Sequence, residues 1–267
     1  MAPTTPSVRV FAPAKINLFL HVGDKRADGF HALESLAVFV DVGDELAFAP
    51  SPELSLAIDG PFAGELTGEG DNLVLKAARA LGMTAAITLT KNLPVASGIG
   101  GGSADAAAVL RGLGKGRHDL REIAEALGSD VPVCVPSKPA WMEGRGEILT
   151  PMTVPEMHLV LVNPRVGVST AAVFRALERR SGLGAVKSNA LDGTRNDLEA
   201  PARALQPVIG EVLDAIATLP GARLARMSGS GATCFGLFGE ALVAARAAEQ
   251  LAAKYPGWWV RATRTLQ

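Results

Sequence analysis

Four glycines fall within five residues, Gly98, Gly100, Gly101 and Gly102, in the segment Pro94-Val-Ala-Ser-Gly-Ile-Gly-Gly-Gly-Ser-Ala-Asp105. No strand or helix interior accommodates such a run, so the chain must make a tight loop here. Glycine lets backbone N–H groups converge and lets a ligand approach with no Cβ in the way. The alanine-rich residues 103–113 read as a helix ending near Gly114, so the loop leads into a helix N-terminus. Free N–H groups and the positive end of the helix dipole suit a phosphate chain at that point. Ser103 can cap the helix or offer its hydroxyl to phosphate or metal. Four glycines exceed what a turn needs, which favours a phosphate loop over a merely tight one. Two other glycine motifs do not fit. A Walker A loop needs Gly-Lys-Ser/Thr after the glycines. A dinucleotide fingerprint needs Gly or Ala where Ser103 stands and starts directly after a strand, whereas residues 92–97 intervene here.

The remaining composition limits what the loop can serve. With 26 Lys plus Arg against 27 Asp plus Glu, the net charge is −1, so no broad basic field advertises a nucleic acid or an anionic membrane. Phosphate must be held by local geometry. Hydrophobic residues at 48% and charged residues at 20% fit a globular chain rather than a disordered one. The start of the chain, residues 1–11, lacks a basic segment followed by an apolar one, and no apolar run is long enough to span a bilayer. Cys134 and Cys234 stand alone and read as buried reduced thiols, not as a disulfide or zinc site. A soluble, cytoplasmic protein is expected.

Strands are expected at residues 8–11, 16–22, 36–42, 45–49, 54–59 and 86–91, and helices at 72–81, 103–113 and 120–127. Short strands follow around Trp141 and Ile148. The second half reads as a strand at 157–163, a helix at 170–180, a loop at 182–193 and a mostly helical stretch at 198–219 broken by Pro207. Strands at 224–227 and 233–238, a helix at 241–254 and a strand at 258–263 complete it. Mixed runs of this kind indicate α+β rather than a doubly wound parallel sheet. A junction near 152–157 divides the chain into 1–154 and 155–267.

Three further clusters carry polar groups in unusual places. Pro13-Ala-Lys15-Ile-Asn17-Leu-Phe-Leu20 sets Lys15 and Asn17 on one face of an apolar strand, either buried for a purpose or solvent-facing on an edge. Arg26-Ala-Asp-Gly-Phe-His31 is a turn with an aromatic and a histidine; taken alone, Phe30 reads as core and His31 as a satisfied polar residue. Gly128-Ser-Asp130-Val-Pro132 places a carboxylate where a helix cap is the ordinary reading. Ser228-Gly-Ser-Gly231 is a second glycine–serine turn. Asp105 has the ordinary role of an acid in a helix's first turn.

Taken in this order, these segments resemble the GHMP kinase superfamily over nearly the whole chain. The resemblance includes residues 143–151, Asn196-Asp-Leu-Glu199 and 228–235. The glycine loop is shared across the superfamily. The Asp28-Gly-Phe-His31 and Gly128–Pro132 segments are similar to those of its members that act on a cytidine-diphosphate-linked alcohol. The resemblance implies a two-domain α+β fold, with an N-terminal ribosomal-protein-S5-like domain holding an unusual βαβ unit and a C-terminal ferredoxin-like domain. ATP would lie in the cleft between them. It implies transfer of the γ-phosphoryl group of ATP, with Mg²⁺, to the 2-hydroxyl of a cytidine-diphosphate-linked methylerythritol in isoprenoid precursor synthesis. Asp130 would take or orient the hydroxyl proton, and Lys15 would hold Asp130 ionised and steady the transferring group. Pro94, Val95, Ala96, Ser97, Gly98, Ile99, Gly100, Gly101, Gly102, Ser103 and Ala104 would bind the nucleotide. Asn17 would hold the substrate near Lys15, and Phe30, His31 and Phe174 would recognise the cytosine. Phe30 stands where the family commonly has Tyr, and Ala104 where serine is common. Lys91 either touches the nucleotide or ends its strand exposed to solvent. Homoserine, mevalonate or a sugar are alternative substrates, but they give the Asp28–His31 segment no task. A non-catalytic nucleotide-binding regulator would need neither Lys15 nor Asp130. No nucleic-acid or membrane partner is expected; metal ligands and oligomeric state are not legible.

Overall fold

The computed structural model describes residues 8–66, 72–178, 180 and 182–267. These form two compact units, each assembled from separate stretches of chain. The first draws on residues up to 14, 43–95 and 100–137, and the second on 15–42, 96–99 and 138–267. Two long strands, β1 (Val8–Lys25) and β2 (His31–Ala49), pair with each other and run from one unit into the other. Each was expected as two shorter strands. The second runs through Gly43 because glycine admits the Ala12 carbonyl, to which an added Cβ would come within 2.3 Å. Asp44, a turn residue by type, is fully buried within this strand.

In the first unit, β3 (Ser55–Asp59) runs parallel to β4 (Ala86–Thr90), which pairs antiparallel with residues 45–49 of β2. Between β3 and β4 the chain forms α1 (Leu73–Ala80), which completes a βαβ unit. Asn72 caps this helix by accepting the Val74 N–H at 2.9 Å, and Val74, Leu75, Ala77 and Ala78 form its buried face. Next come α2 (Gly101–Leu113), α3 (Leu120–Leu127) and α4 (Val131–Cys134). Helix α2 buries residues 104–110, mostly alanine, whose small side chains let its neighbours approach closely. It starts two residues earlier than expected. Its cap is Gly100 in the left-handed region, with no side-chain cap bond, so Ser103 stands inside the first turn and does not cap it.

The second unit contains β5 (Ala140–Gly144), paired antiparallel with residues 33–37 of β2 and with β6 (Ile148–Pro151). It also contains β7 (His158–Asn163), α5 (Thr170–Arg175), α6 (Glu199–Leu205), α7 (Val208–Ala217), β8 (Ala222–Met227), β9 (Cys234–Phe238), α8 (Ala241–Lys254) and β10 (Trp259–Arg264). The last four strands form an antiparallel sheet in the order β10-β7-β9-β8, the ferredoxin-like arrangement. Val160, Val162, Ile209, Val212, Ile216 and Leu251 pack in its core. Helix α5 is shorter than the expected 170–180, ending at Arg175 with Val173 as its one fully buried residue. Arg179 of that span, and residues 1–7 of the chain start, lie outside the described residues. Pro207 caps α7, which explains the break in the helical stretch. Cys134 and Cys234 are both buried as reduced thiols. Among the described residues no helix is long and apolar enough to cross a membrane.

Candidate active site

Period two places Lys15 and Asn17 on one face of β1, and both are buried, which rules out the solvent-facing alternative. The Asn17 side chain donates to Ser35 Oγ at 2.7 Å, and Ser35 donates onward to the Phe19 carbonyl at 2.6 Å. The Asn17 N–H donates to Ser228 Oγ at 3.1 Å, and the Lys15 N–H to the Ile99 carbonyl at 2.9 Å. The strand that carries both polar residues is therefore tied directly to the glycine loop.

The first half of that loop interlocks with the second glycine–serine turn. Ser228 Oγ donates to the Gly98 carbonyl at 3.1 Å, and the Thr233 N–H donates to the Ser97 carbonyl at 3.0 Å. A Cβ on Gly98 would come within 2.5 Å of the Ser228 carbonyl, and one on Gly229 within 2.6 Å of the Gly98 carbonyl. Both glycines have positive φ, +75° and +54°. Asn196 Nδ2 donates to the Met227 and Gly229 carbonyls, each at 2.8 Å, and so fixes the partner turn. Local pattern reads residues 228–231 as a turn; in the structure they are the surface against which the glycine loop packs.

The second half of the loop opens α2. The N–H groups of Gly101, Gly102 and Ser103 have no intrahelical acceptor, as in any helix's first turn, whereas the Ala104 N–H is engaged by the Gly100 carbonyl at 2.8 Å. The Ala104 side chain is buried in the helix packing. Gly102 is exposed, and an added Cβ would meet nothing closer than Leu73 Cδ1 at 3.7 Å. Packing alone therefore leaves room for a side chain there. At the loop's entrance Pro94 is buried, and the Val95 N–H donates to Glu65 at 3.3 Å.

Lys91 does not end its strand in solvent. It is buried, with Nζ 2.5 Å from Asp44 Oδ2 and 2.7 Å from Asp105 Oδ2. Burial acts to lower its pKa, but the two carboxylates outweigh this and hold it above the ordinary lysine value. Burial, reinforced by the charge of Asp44, pushes the Asp105 carboxyl up to about 7 against the opposing pull of Lys91. One cation faces two buried carboxylates, and Asp105 is the one that holds its proton more tightly than an ordinary aspartate. Asp105 is thus a buried ion-pair partner and not the solvated first-turn acid expected of it. The sequence signals were a lysine at the end of an apolar strand and a single carboxylate inside an alanine run.

Asp130 occupies the N-cap position of α4, yet its side chain makes no cap bond. The ordinary reading of that aspartate as a helix cap therefore fails. Its segment is held between the Gly128 end of α3 and Pro132 in the first turn of α4.

In the second unit, the rings of His31 and Phe174 stack with centroids 5.6 Å apart and planes within 17°. His31 Nδ1 lies 3.2 Å from the Gly23 carbonyl, which can only accept, so Nδ1 carries a proton. Phe30 is 52% exposed, so it is not the core residue its type suggests. The Arg145 guanidinium sits 5.5 Å from its ring centre. Asp28 shapes the turn by accepting the Phe30 N–H and the Arg26 side chain, each at 3.1 Å. Arg145, Ser228 and Asn196 had no individual role in the sequence reading.

Residues 72–138 match the family model described as "GHMP kinases N terminal domain", and residues 172–257 the one described as "GHMP kinases C terminal". The 4-diphosphocytidyl-2-C-methyl-D-erythritol kinase of Paracoccus denitrificans (strain Pd 1222) is 54% identical over 267 residues, covering 96% of each chain. The enzyme of the same name from Cereibacter sphaeroides (strain ATCC 17025 / ATH 2.4.3) is 52% identical over 271 residues, covering 95% of this chain and 98% of its own. A crystal structure of 4-(cytidine 5'-diphospho)-2C-methyl-D-erythritol kinase superposes with a TM-score of 0.81 at 34% identity, covering 97% of this chain and all of that one. A homoserine kinase from Cytophaga hutchinsonii shares the fold, with a TM-score of 0.69 at 20% identity. The chain belongs to the GHMP kinases and, within them, to the family of 4-diphosphocytidyl-2-C-methyl-D-erythritol kinases.

Proposed function

We propose that the chain phosphorylates the 2-hydroxyl of 4-diphosphocytidyl-2-C-methyl-D-erythritol with ATP, a step of isoprenoid precursor synthesis. The observation that carries the substrate class is the stacked His31–Phe174 pair, next in sequence to the exposed ring of Phe30. Aromatic faces take a pyrimidine ring by stacking, and an imidazole nitrogen reads its polar edge. Homoserine or mevalonate would leave these groups idle.

The nucleotide is assigned to residues 94–104, with the Gly101, Gly102 and Ser103 amides facing its phosphates. Asp130 accepts or orients the proton of the substrate hydroxyl, and Lys15 steadies the charge on the transferring phosphoryl group. A loose transition state asks little of a base, so positioning dominates. Asn17 holds the substrate alcohol. Among the described residues no three His, Cys, Asp or Glu side chains cluster as a ready metal cage. This fits Mg²⁺, which keeps its waters and binds largely through phosphate oxygens, with the Ser103 hydroxyl as the loop's own oxygen donor. Mg²⁺ supplies neutralisation of the phosphate charge. A domain division at 154/155 falls in the gap between the family matches, which end at 138 and begin again at 172, whereas the two compact units interleave along the chain, the second taking residues 15–42, 96–99 and 138–267. Two buried, reduced thiols fit a reducing cytoplasm.

ADP release from the full chain, given ATP, Mg²⁺ and each candidate alcohol in turn, tests the reading. Turnover is expected with the cytidine-diphosphate methylerythritol alone. Turnover on homoserine or mevalonate, with none on that compound, would overturn it.

A further inference from the structure

The phosphoryl transfer gives no task to Lys91, Asp44 and Asp105, which are 3%, 0% and 3% exposed. Burying three such groups is costly, and apolar side chains of similar volume usually serve stability as well or better. What distinguishes this cluster is where its bonds end. Asp44 Oδ1 accepts the N–H groups of Asn92 at 2.6 Å and Leu93 at 2.8 Å, the two residues that lead into Pro94. Lys91 bonds Asp44 on one side and, on the other, Asp105, the first residue after Ala104. The cluster thus closes the eleven residues 94–104 into a ring through their two ends. A Cβ on Gly101 would lie 3.2 Å from Lys91 Nζ and 3.7 Å from Asp44 Oδ2, so the cluster sits directly against the first turn of α2. Asp105 Oδ1 is buried with no hydrogen-bond partner among the described residues, so the tether runs through Oδ2. We propose that Lys91, Asp44 and Asp105 are positioning residues that join the two ends of the phosphate loop and set the Gly101–Ser103 amides in register for the phosphates of ATP. This rests on the ATP reading above.

Asp105→Ala is the sharpest test. It cuts the tether, leaves a neutral Lys91–Asp44 pair, and adds a strong helix former to an alanine-rich helix. Binding of a non-hydrolysable ATP analogue and the KM of each substrate are measured on the full chain. Asp105→Ala is expected to weaken the analogue and raise the KM for ATP about tenfold, with the KM for the alcohol held within about twofold. Asp105→Asn, whose amide oxygen still accepts from Lys91, is expected to restore most of the loss. Val109→Ala, in the same helix and fully buried, should lower the melting temperature without touching the KM for ATP. If Asp105→Ala does not fold, Lys91→Arg keeps the charge but moves the nitrogen, and the same selective loss is expected. Unchanged ATP parameters, an equal rise in both KM values, or the same ATP defect in Val109→Ala would overturn the proposal. An unaltered chain that binds no analogue would overturn it together with the ATP reading. An unaltered chain that turns over, matched by Asp105→Ala, would overturn it alone.

Discussion

The two halves of the glycine loop are held by opposite means. Residues 97–99 are held by neutral backbone groups: Gly98 lies against the 228–231 turn so closely that neither side has room for a Cβ. Residues 100–105 have such room at Gly102 and are anchored by buried charge. The first half therefore needs glycine for packing, whereas in the second Gly100 is needed for its left-handed backbone and packing leaves room for a side chain at Gly102. A run of glycines that looks uniform in sequence is not constrained uniformly.

The largest effect should come from Gly98→Ala. Its positive φ and the 2.5 Å approach to the Ser228 carbonyl should together cost about 2–5 kcal/mol, read as a fall in denaturant midpoint. Gly102→Ala should leave stability within about 1 kcal/mol of the unaltered chain or raise it, yet weaken ATP binding severalfold. Equal stability losses in the two variants would erase the contrast between the halves. Ser228→Ala removes one hydroxyl that serves both the Asn17 N–H and the Gly98 carbonyl. A loss of about 1–3 kcal/mol is expected in urea unfolding. His31→Ala should raise the KM for the alcohol and leave that for ATP nearly unchanged; the reverse would move His31 out of the substrate site.

A smaller and purely electrostatic effect separates the charged half. Asp105 keeps its proton up to about 7 in the folded chain, above the aspartate value of the unfolded one. The folded state therefore binds more protons between about pH 4 and 7, and this group's contribution to stability falls as pH rises through that window. Lys91 and Asp44 face the carboxyl there. Unfolding at pH 5 and pH 8 should show a drop in the unaltered chain that Asp105→Asn flattens, while Ser228→Ala keeps it.

Much of this was legible in the sequence. The helix expected at 72–81 matches α1 nearly to the residue, and period two put Lys15 and Asn17 on one face. The buried pairings were not legible. Asp44 resembles a turn residue and Asp105 a helix-start acid by every local rule, and only the fold brings Lys91 between them. The β2 strand was missed as one element for the same reason: Gly43 breaks strands by propensity but is required here by the Ala12 carbonyl. Ser228 bridges positions more than a hundred residues apart, which no local pattern encodes.

The most direct test of the account follows the phosphorus itself. In a reaction of the full chain with ATP, Mg²⁺ and 4-diphosphocytidyl-2-C-methyl-D-erythritol, phosphorus NMR should show one new phosphomonoester, coupled to carbon 2 of the methylerythritol, and an equal amount of ADP. Asp130→Asn should still bind ATP but form this product slower by about 10²-fold or more. ADP without the phosphomonoester, a phosphoryl group on another oxygen, or an Asp130→Asn variant as fast as the unaltered chain would contradict it.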